Sequence, residues 1–254
     1  MLDSLLRDGL VDAFSSEHSG WHTEDLAREL DIDRRAQDRW SARSQQRFSA
    51  AQAAGAFRDE IVAVQVKTRK GVDVFDTDEA NRPDTTEESL ARLKPAFRAD
   101  GTITAGNAPG LNSGAAAVIV ADRATAEQLG LQPFARLVAS AVIGVEPGQF
   151  GIGPVPAVNK VLARAGWALS DVDRYEINEA FAVVPLAAAR RLSLPEDVIN
   201  VEGGAVAHGH PIGATGAILA VRLLHAMRRG LARRGVVSLC IGGGQGIALA
   251  IEKL

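Results

Sequence analysis

Three short stretches carry residue types that can do chemistry. Glu176-Ile-Asn178-Glu179-Ala-Phe181 sets carboxylates and a carboxamide where an apolar strand gives way to a helical pattern. Gly203-Gly-Ala-Val-Ala-His208-Gly-His210-Pro-Ile-Gly213-Ala-Thr-Gly216 places two imidazoles among glycines at the opening of another helix. Val236-Val-Ser-Leu-Cys240-Ile-Gly-Gly-Gly-Gln-Gly246 runs a strand into glycines. In α/β sheets the strand ends host ligands. A cysteine followed by glycines brings a thiol beside backbone N–H groups that can stabilise a thiolate or an oxyanion. Each stretch also has a plainer reading. A lone cysteine in an apolar strand is ordinarily an inert core residue, Asn178 can cap the following helix, and His210-Pro can be a turn. His208-x-His210 would need a third ligand to hold a metal, and none is near in sequence, so no metal is expected. Gly242-Gly-Gly-Gln-Gly246 has no following helix to hold a pyrophosphate, and no Gly-x-Ser-x-Gly elbow exists.

The elements that must position these residues fall into two regimes. Residues 20–100 are charged and helix-rich. Thr23 is the expected cap of a short helix through Leu30, and Asp33 that of a longer one ending at Gly55, with Ala36, Trp40, Phe48 and Ala51 as its apolar stripe. Glu60–Val66 alternates, turns at Arg69-Lys-Gly71 and returns as Val72–Phe75, a hairpin. A helix opens near Thr86, with Asp84 or Thr85 as cap and Glu87 and Glu88 favourable to its dipole. Residues 101–114 are too rich in Gly and Asn for regular structure and read as a loop that brings backbone close to a ligand. Beyond it the pattern predicts a buried strand at 115–121, a helix to Leu129, strand 135–142, helix 155–165, strand 174–178, helices 180–191 and 213–229, and strands 235–241 and 246–252. The alternation argues a layered α/β architecture.

Bulk properties narrow the class. The 254 residues hold 28 Lys+Arg against 31 Asp+Glu, a formal charge of −3, with 46% hydrophobic residues. The balanced charge and the lack of a long Lys/Arg block speak against nucleic acid as a partner. No apolar run approaches the ~18–20 residues of a membrane span, and the N-terminus has no signal-peptide core. The C-terminal Glu-Lys-Leu is not the peroxisomal Ser-Lys-Leu. One cysteine excludes an internal disulfide and a cysteine-based zinc site. A cytoplasmic location, with no nucleic-acid or membrane partner, is the expectation.

Taken together and in order, these stretches resemble the thiolase family (acetyl-CoA acetyltransferases and 3-ketoacyl-CoA thiolases). Asn178-Glu-Ala-Phe181, Gly203-Gly-Ala…His210-Pro-Ile-Gly-Ala-Thr-Gly216 and Cys240-Ile-Gly-Gly-Gly resemble its C-terminal signature blocks. Asp8-Gly-Leu-Val-Asp-Ala-Phe14, Arg82-Pro-Asp-Thr-Thr86 and Thr104-Ala-Gly-Asn107 resemble its loop domain and the segment after it. The resemblance implies an α/β, thiolase-like layered αβα fold, with residues 1–122 as the remainder of the N-terminal region, including a coenzyme A-binding loop domain, and 131–254 as the C-terminal domain. It implies an acyl-CoA C-acyltransferase that performs a Claisen condensation of acetyl-CoA or thiolysis of a 3-ketoacyl-CoA, with the coenzyme A thioester as substrate and no separate cofactor. By the same resemblance Cys240 shuttles the substrate α-proton, and its nearness to thiolate character at neutral pH suits a base. His210 activates the nucleophile and helps form an oxyanion hole. Asn178 holds an oxyanion-hole water, and Gly242 and its neighbours supply N–H donors. Arg82, Ser89 and Phe97 match positions around the nucleotide end of coenzyme A, and His18 a position beside the pantetheine. Ala105, Gly106, Leu111, Ala180 and Phe181 match the pantetheine tunnel. On the plainer reading, Arg82 and Ser89 merely cap and solvate a helix.

Some positions depart from the family pattern. Pro109 stands where a serine commonly bonds the pantetheine, and Ser19 and Phe150 where short-chain members carry methionines. The acylated cysteine of the family's N-terminal domain has no counterpart, because Cys240 is the single cysteine. The resemblance starts at the first residues, so Met1 is expected to correspond to an internal methionine. The N-terminal domain is expected to be largely missing, leaving apolar surface and strand edges uncovered. The chain then reads as a fragment, as one half of a split thiolase, or as a non-catalytic acyl-CoA-binding remnant. Its expected partner is a further copy in a homo-oligomer or a complementary N-terminal domain.

Overall fold

The computed structural model describes residues 2–254; the expectation for Met1 lies outside the described residues. In the first half, α1 (Ser19–Glu29) and α2 (Arg34–Ala53) are followed by the hairpin β1 (Val64–Thr68) and β2 (Gly71–Phe75) and by α3 (Glu87–Ala91). In the second half come α4 (Arg123–Gln128), β3 (Ala135–Gly144), α5 (Pro154–Ala165), β4 (Arg174–Ile177), α6 (Val183–Leu192), α7 (Ala205–His208), α8 (Thr215–Arg228), β5 (Arg234–Ile241) and β6 (Gln245–Lys253).

The second half is built on one mixed sheet of order β3-β6-β5-β4, in which β4 and β5 are parallel and the other pairs antiparallel. Alternation along the strands divides its faces. Val236, Ala248 and Ala250 join one core cluster with Val158, Val161 and Val184 of α5 and α6, whereas Val237 and Ile251 join Leu219, Leu223 and Met227 of α8 in another. The sheet is therefore sandwiched between helices. Pro154 starts α5 and Gly166, at φ 70°, ends it, which is the usual division of labour between those residues. The parallel pair β4–β5 brings both C-terminal strand ends to the same edge of the sheet, where the Asn178 N–H donates to Ser238 O at 3.0 Å.

Several expectations are corrected. His18, not Thr23, caps α1: its Nδ1 accepts the Gly20 N–H at 3.0 Å, while the Thr23 hydroxyl turns inward and donates to Ser19 O at 2.9 Å. Asp33 does cap α2, accepting from Ala36 N–H at 2.7 Å. Trp40 and Phe48 are buried as expected, but so are Gln37, Asp38, Ser41, Ser44 and Gln45, so much of the inward face of α2 is polar. Thr86 rather than Asp84 or Thr85 caps α3, in a reciprocal arrangement with Ser89. The hairpin forms, but both of its strands are exposed throughout. The predicted buried strand at 115–121 is neither strand nor buried: among the described residues no strand pairs with it, and Ile119 and Val120 are 92% and 76% exposed. An apolar run becomes a strand only where another strand accepts from its N–H groups and donates to its C=O groups. The C-terminal helices and strands otherwise lie where the pattern set them, except that α6 starts later, at Val183, and the short α7 was not foreseen.

Candidate active site

Asn178 follows β4, Cys240 is the penultimate residue of β5, and His210 lies between α7 and α8. The Asn178 Nδ2 stands 3.2 Å from His210 Nε2, and the Asn178 Oδ1 is buried without a hydrogen-bond partner among the described residues. The His210 Nδ1 is 2.7 Å from Thr215 Oγ1, and that hydroxyl donates its proton to Pro211 O at 2.9 Å. A hydroxyl has one proton to give, so Thr215 must accept from an N–H at Nδ1. Nε2 then carries the lone pair and accepts from the Asn178 carboxamide. Burial pushes the His210 pKa down to about 4, which keeps the ring neutral at physiological pH. A neutral ring in this tautomer offers Nε2 as a proton acceptor.

Cys240 is half-buried against the core. Burial pushes its thiol up to about 12, which corrects the expectation of thiolate character: in this state the residue is a protonated thiol. Gly242–Gly244 form the turn into β6, and the Val145 N–H donates to Gly244 O at 2.7 Å. Gly244, at φ +85°, would place a Cβ 2.3 Å from Val145 O, so the approach of that loop requires glycine. Gly242 is exposed at the mouth of the turn. His208 does not pair with His210. It packs against Phe48 at 6.0 Å between ring centroids, and burial together with Arg222 holds its pKa well below the usual value. Among the described residues no group of three or more His, Cys, Asp or Glu side chains could hold a metal ion.

The proposed binding residues separate into two sets. His18 and Phe97 meet at a tilt, 4.8 Å between centroids, and Phe97 meets Phe181 edge-on at 6.0 Å, so the residue capping α1, the segment after α3 and the turn before α6 converge three residues from Asn178. Ala180 lies beside Phe181, half-buried. Burial lowers the His18 pKa. Gly106 faces Leu90 and Leu93, and Ala105 is exposed. Leu111, 61% exposed, forms a bridge with His210. Arg82 and Ser89 stand outside this cluster and are exposed. The Arg82 N–H donates to Gln45 Oε1 at 2.8 Å, and the Ser89 hydroxyl serves the α3 cap.

Comparison with known families places the chain. The family model described as thiolase, N-terminal domain, matches residues 1–124, and that described as thiolase, C-terminal domain, matches residues 131–253. The chain belongs to the thiolase family. It is 50% identical over 254 residues to an acetyl-CoA acetyltransferase of Chromobacterium violaceum, covering 100% of this chain and 65% of that protein. It is 46% identical over 255 residues to the cytosolic acetyl-CoA acetyltransferase of Mus musculus, covering 64% of it. The crystal structure of the Bacillus anthracis acetyl-CoA acetyltransferase superposes with a TM-score of 0.97 at 44% identity, over 99% of this chain and 64% of that one. Human mitochondrial 3-ketoacyl-CoA thiolase in complex with CoA gives 0.92 at 41%, over 99% and 62%. The chain thus spans about 65% of the length of the curated relatives it matches, and its fold is the thiolase-like layered α/β fold.

Two residues around this candidate site were given no role from the sequence. Thr215 lies within the block that contains His210, and its hydroxyl at spacing five was the available signal. Glu179 is fully buried and accepts from Trp40 Nε1–H, Ser44 Oγ–H, Asn200 Nδ2–H and Val206 N–H, each at 2.9 Å. Burial raises its pKa against the pull of these donors. It ties α2 and α7 to the residue next to Asn178; no sequence spacing shows that Trp40, 139 positions away, is its partner.

Proposed function

We propose that the protein is an acyl-CoA C-acyltransferase of the thiolase type, acting by Claisen condensation of acetyl-CoA or thiolysis of a 3-ketoacyl-CoA. The observation that carries the reading is the Asn178–His210 pair, with His210 neutral and its Nε2 lone pair turned towards Asn178, at the end of β4 where the Asn178 N–H bonds Ser238 O of the strand that carries Cys240. His210 takes the proton of the acyl-accepting thiol, and the resulting imidazolium faces the oxygen on which negative charge develops. Asn178, with a free carboxamide oxygen, holds a water in the same oxyanion hole. Cys240 gives and takes the proton at the α-carbon. Because it rests as a thiol, the proton donation is its ready direction, and abstraction requires the Gly242–Gly244 N–H groups to stabilise the thiolate. His18, Phe97, Ala105, Gly106, Leu111, Ala180 and Phe181 accommodate the pantetheine, and Arg82 and Ser89 the nucleotide end. Residues 1–122 form the acyl-CoA-binding part and 131–254 the part carrying His210 and Cys240. The location proposed is cytoplasmic, supported by the relative named as cytosolic.

On this reading the acyl-accepting thiol lies outside these 254 residues, upstream or on a partner chain. A second reading, acyl-CoA binding without turnover, is favoured by the single cysteine and its raised pKa. The test is thiolysis of acetoacetyl-CoA by the protein isolated from its own cell with whatever accompanies it. Turnover that falls by about 10³-fold in Cys240→Ala and in His210→Ala supports the enzyme reading. Turnover that survives Cys240→Ala refutes the role given to that residue, and saturable coenzyme A binding with no acyl transfer supports the second reading.

A further inference from the structure

Residues 111–114 run beside residues 209–211. Leu111 forms a parallel bridge with His210, and Asn112 Oδ1 accepts the His210 N–H at 3.0 Å. A Cβ on Gly114 would stand 2.7 Å from Pro211 Cγ. Gly209 completes the seam. Its φ of +96° favours glycine, and a Cβ there would lie 2.6 Å from Asn112 Cγ, so the carboxamide occupies the space a side chain at 209 would need. Asn112 is exposed and belongs to no helix or strand, so core packing does not account for its seat. The His210 ring is held from elsewhere, by Thr215 and Asn178. The main chain and the ring of His210 are thus fixed from different sides, and the main-chain bond comes from the loop that also carries Ala105, Gly106 and Leu111.

We infer that Asn112 is a positioning residue, which holds the His210 main chain and links the place of the imidazole to occupancy of the acyl-CoA tunnel. The link rests on the reading above that Leu111 and its neighbours contact the pantetheine. The near end of the loop is tied down. Glu24 accepts the Thr102 N–H at 2.8 Å and the Ile103 N–H at 2.9 Å. Asn107 accepts the Thr104 N–H at 2.8 Å and donates to Asp38 Oδ1 at 3.0 Å. A ligand lying along the loop therefore acts on the stretch beyond Asn107, whose far contact is the Asn112–His210 bond. A displacement of an ångström at a reacting group can change a rate by about 10², so this bond is well placed to set catalysis without touching the substrate.

The test uses the chain labelled with ¹⁵N-histidine, of which there are five, and compares wild type, Asn112→Ala and Asn112→Asp, with acetyl-CoA as the probe. Asn112→Ala is expected to speed solvent exchange of the His210 amide by at least about tenfold. Asn112→Asp, which keeps an acceptor oxygen, should restore it. Neither change should move the melting temperature, because the side chain is exposed. Saturating acetyl-CoA is expected to shift the His210 ring resonances in wild type and Asn112→Asp but not in Asn112→Ala. Equal amide exchange in wild type and Asn112→Ala overturns the positioning role, and a ligand-induced ring shift in Asn112→Ala as large as that in wild type overturns the link. If acetyl-CoA fails to bind wild type at all, the proposed function fails, while the exchange comparison still decides the role of Asn112.

Discussion

His210 and Cys240 show how burial sets the resting proton inventory of the site. The His210 pKa is pushed down to about 4, against 6.5 for the ordinary imidazole. As pH falls through that window the unfolded chain binds a proton that the native ring refuses, so the residue lowers stability progressively from about pH 6.5 and its effect is complete below about pH 4. A ¹³C or ¹⁵N titration should accordingly find the ring neutral, with the proton on Nδ1, until close to pH 4; a midpoint near 6.5 would contradict the burial argument. Replacing Thr215 with valine removes the acceptor at Nδ1 and should let the other tautomer appear in the same spectra. Cys240 moves the opposite way. With the thiol pushed up to about 12, alkylation by iodoacetamide at about pH 8 should be at least tenfold slower in the native chain than in urea. Mass spectrometry reads the difference, and equal rates would show a thiolate-prone residue.

At the scale of elements, Glu179 is the tie between halves of the site. Its carboxylate takes four donors from α2, α7 and the loop at Asn200. Glu179→Ala would strand all four in a buried space and should cost about 3 kcal/mol or more, read as a lower midpoint in urea denaturation; an unchanged midpoint would mean that the network relaxes freely. This network also marks the limit of what the sequence discloses. The second-half strands and helices were legible because apolar periodicity follows directly from one buried face, as with Val236 and Val237 pointing to opposite cores. Helix α2 was legible as a helix but not as a polar interface: Gln37, Ser44 and Gln45 look like a solvated face until Thr102, Glu179 and Val206 are found opposite them. The candidate site divides in the same way. Asn178, His210 and Cys240 stood out only through their family-like blocks, whereas the contacts of Asn112 and Thr215 with His210 are single hydrogen bonds, and the geometry of one bond leaves no periodic trace.

At the scale of the whole molecule, the segment after the binding loop is the part whose sequence and surroundings disagree. Ala115–Ala121 has the composition of a buried strand, yet Val118, Ile119 and Val120 are 44%, 92% and 76% exposed. Contiguous apolar surface of this kind marks an interaction site or an association hazard. Since these side chains contribute little to the core, charging them should leave the fold unaffected while removing the patch. The double variant Ile119→Lys, Val120→Lys is expected to melt within about 1 °C of wild type, to bind less of a hydrophobic dye such as ANS, and to stay dispersed at concentrations where wild type self-associates, as seen by light scattering. A drop in melting temperature of several degrees would mean that the segment packs against the body of the chain in solution, in which case its strand-like composition serves this chain and not a partner. Unchanged fold with lost association would instead place the apolar run at a contact between polypeptides, at the surface beside Pro211 and α8 where Gly114 brings the loop against the His210 turn.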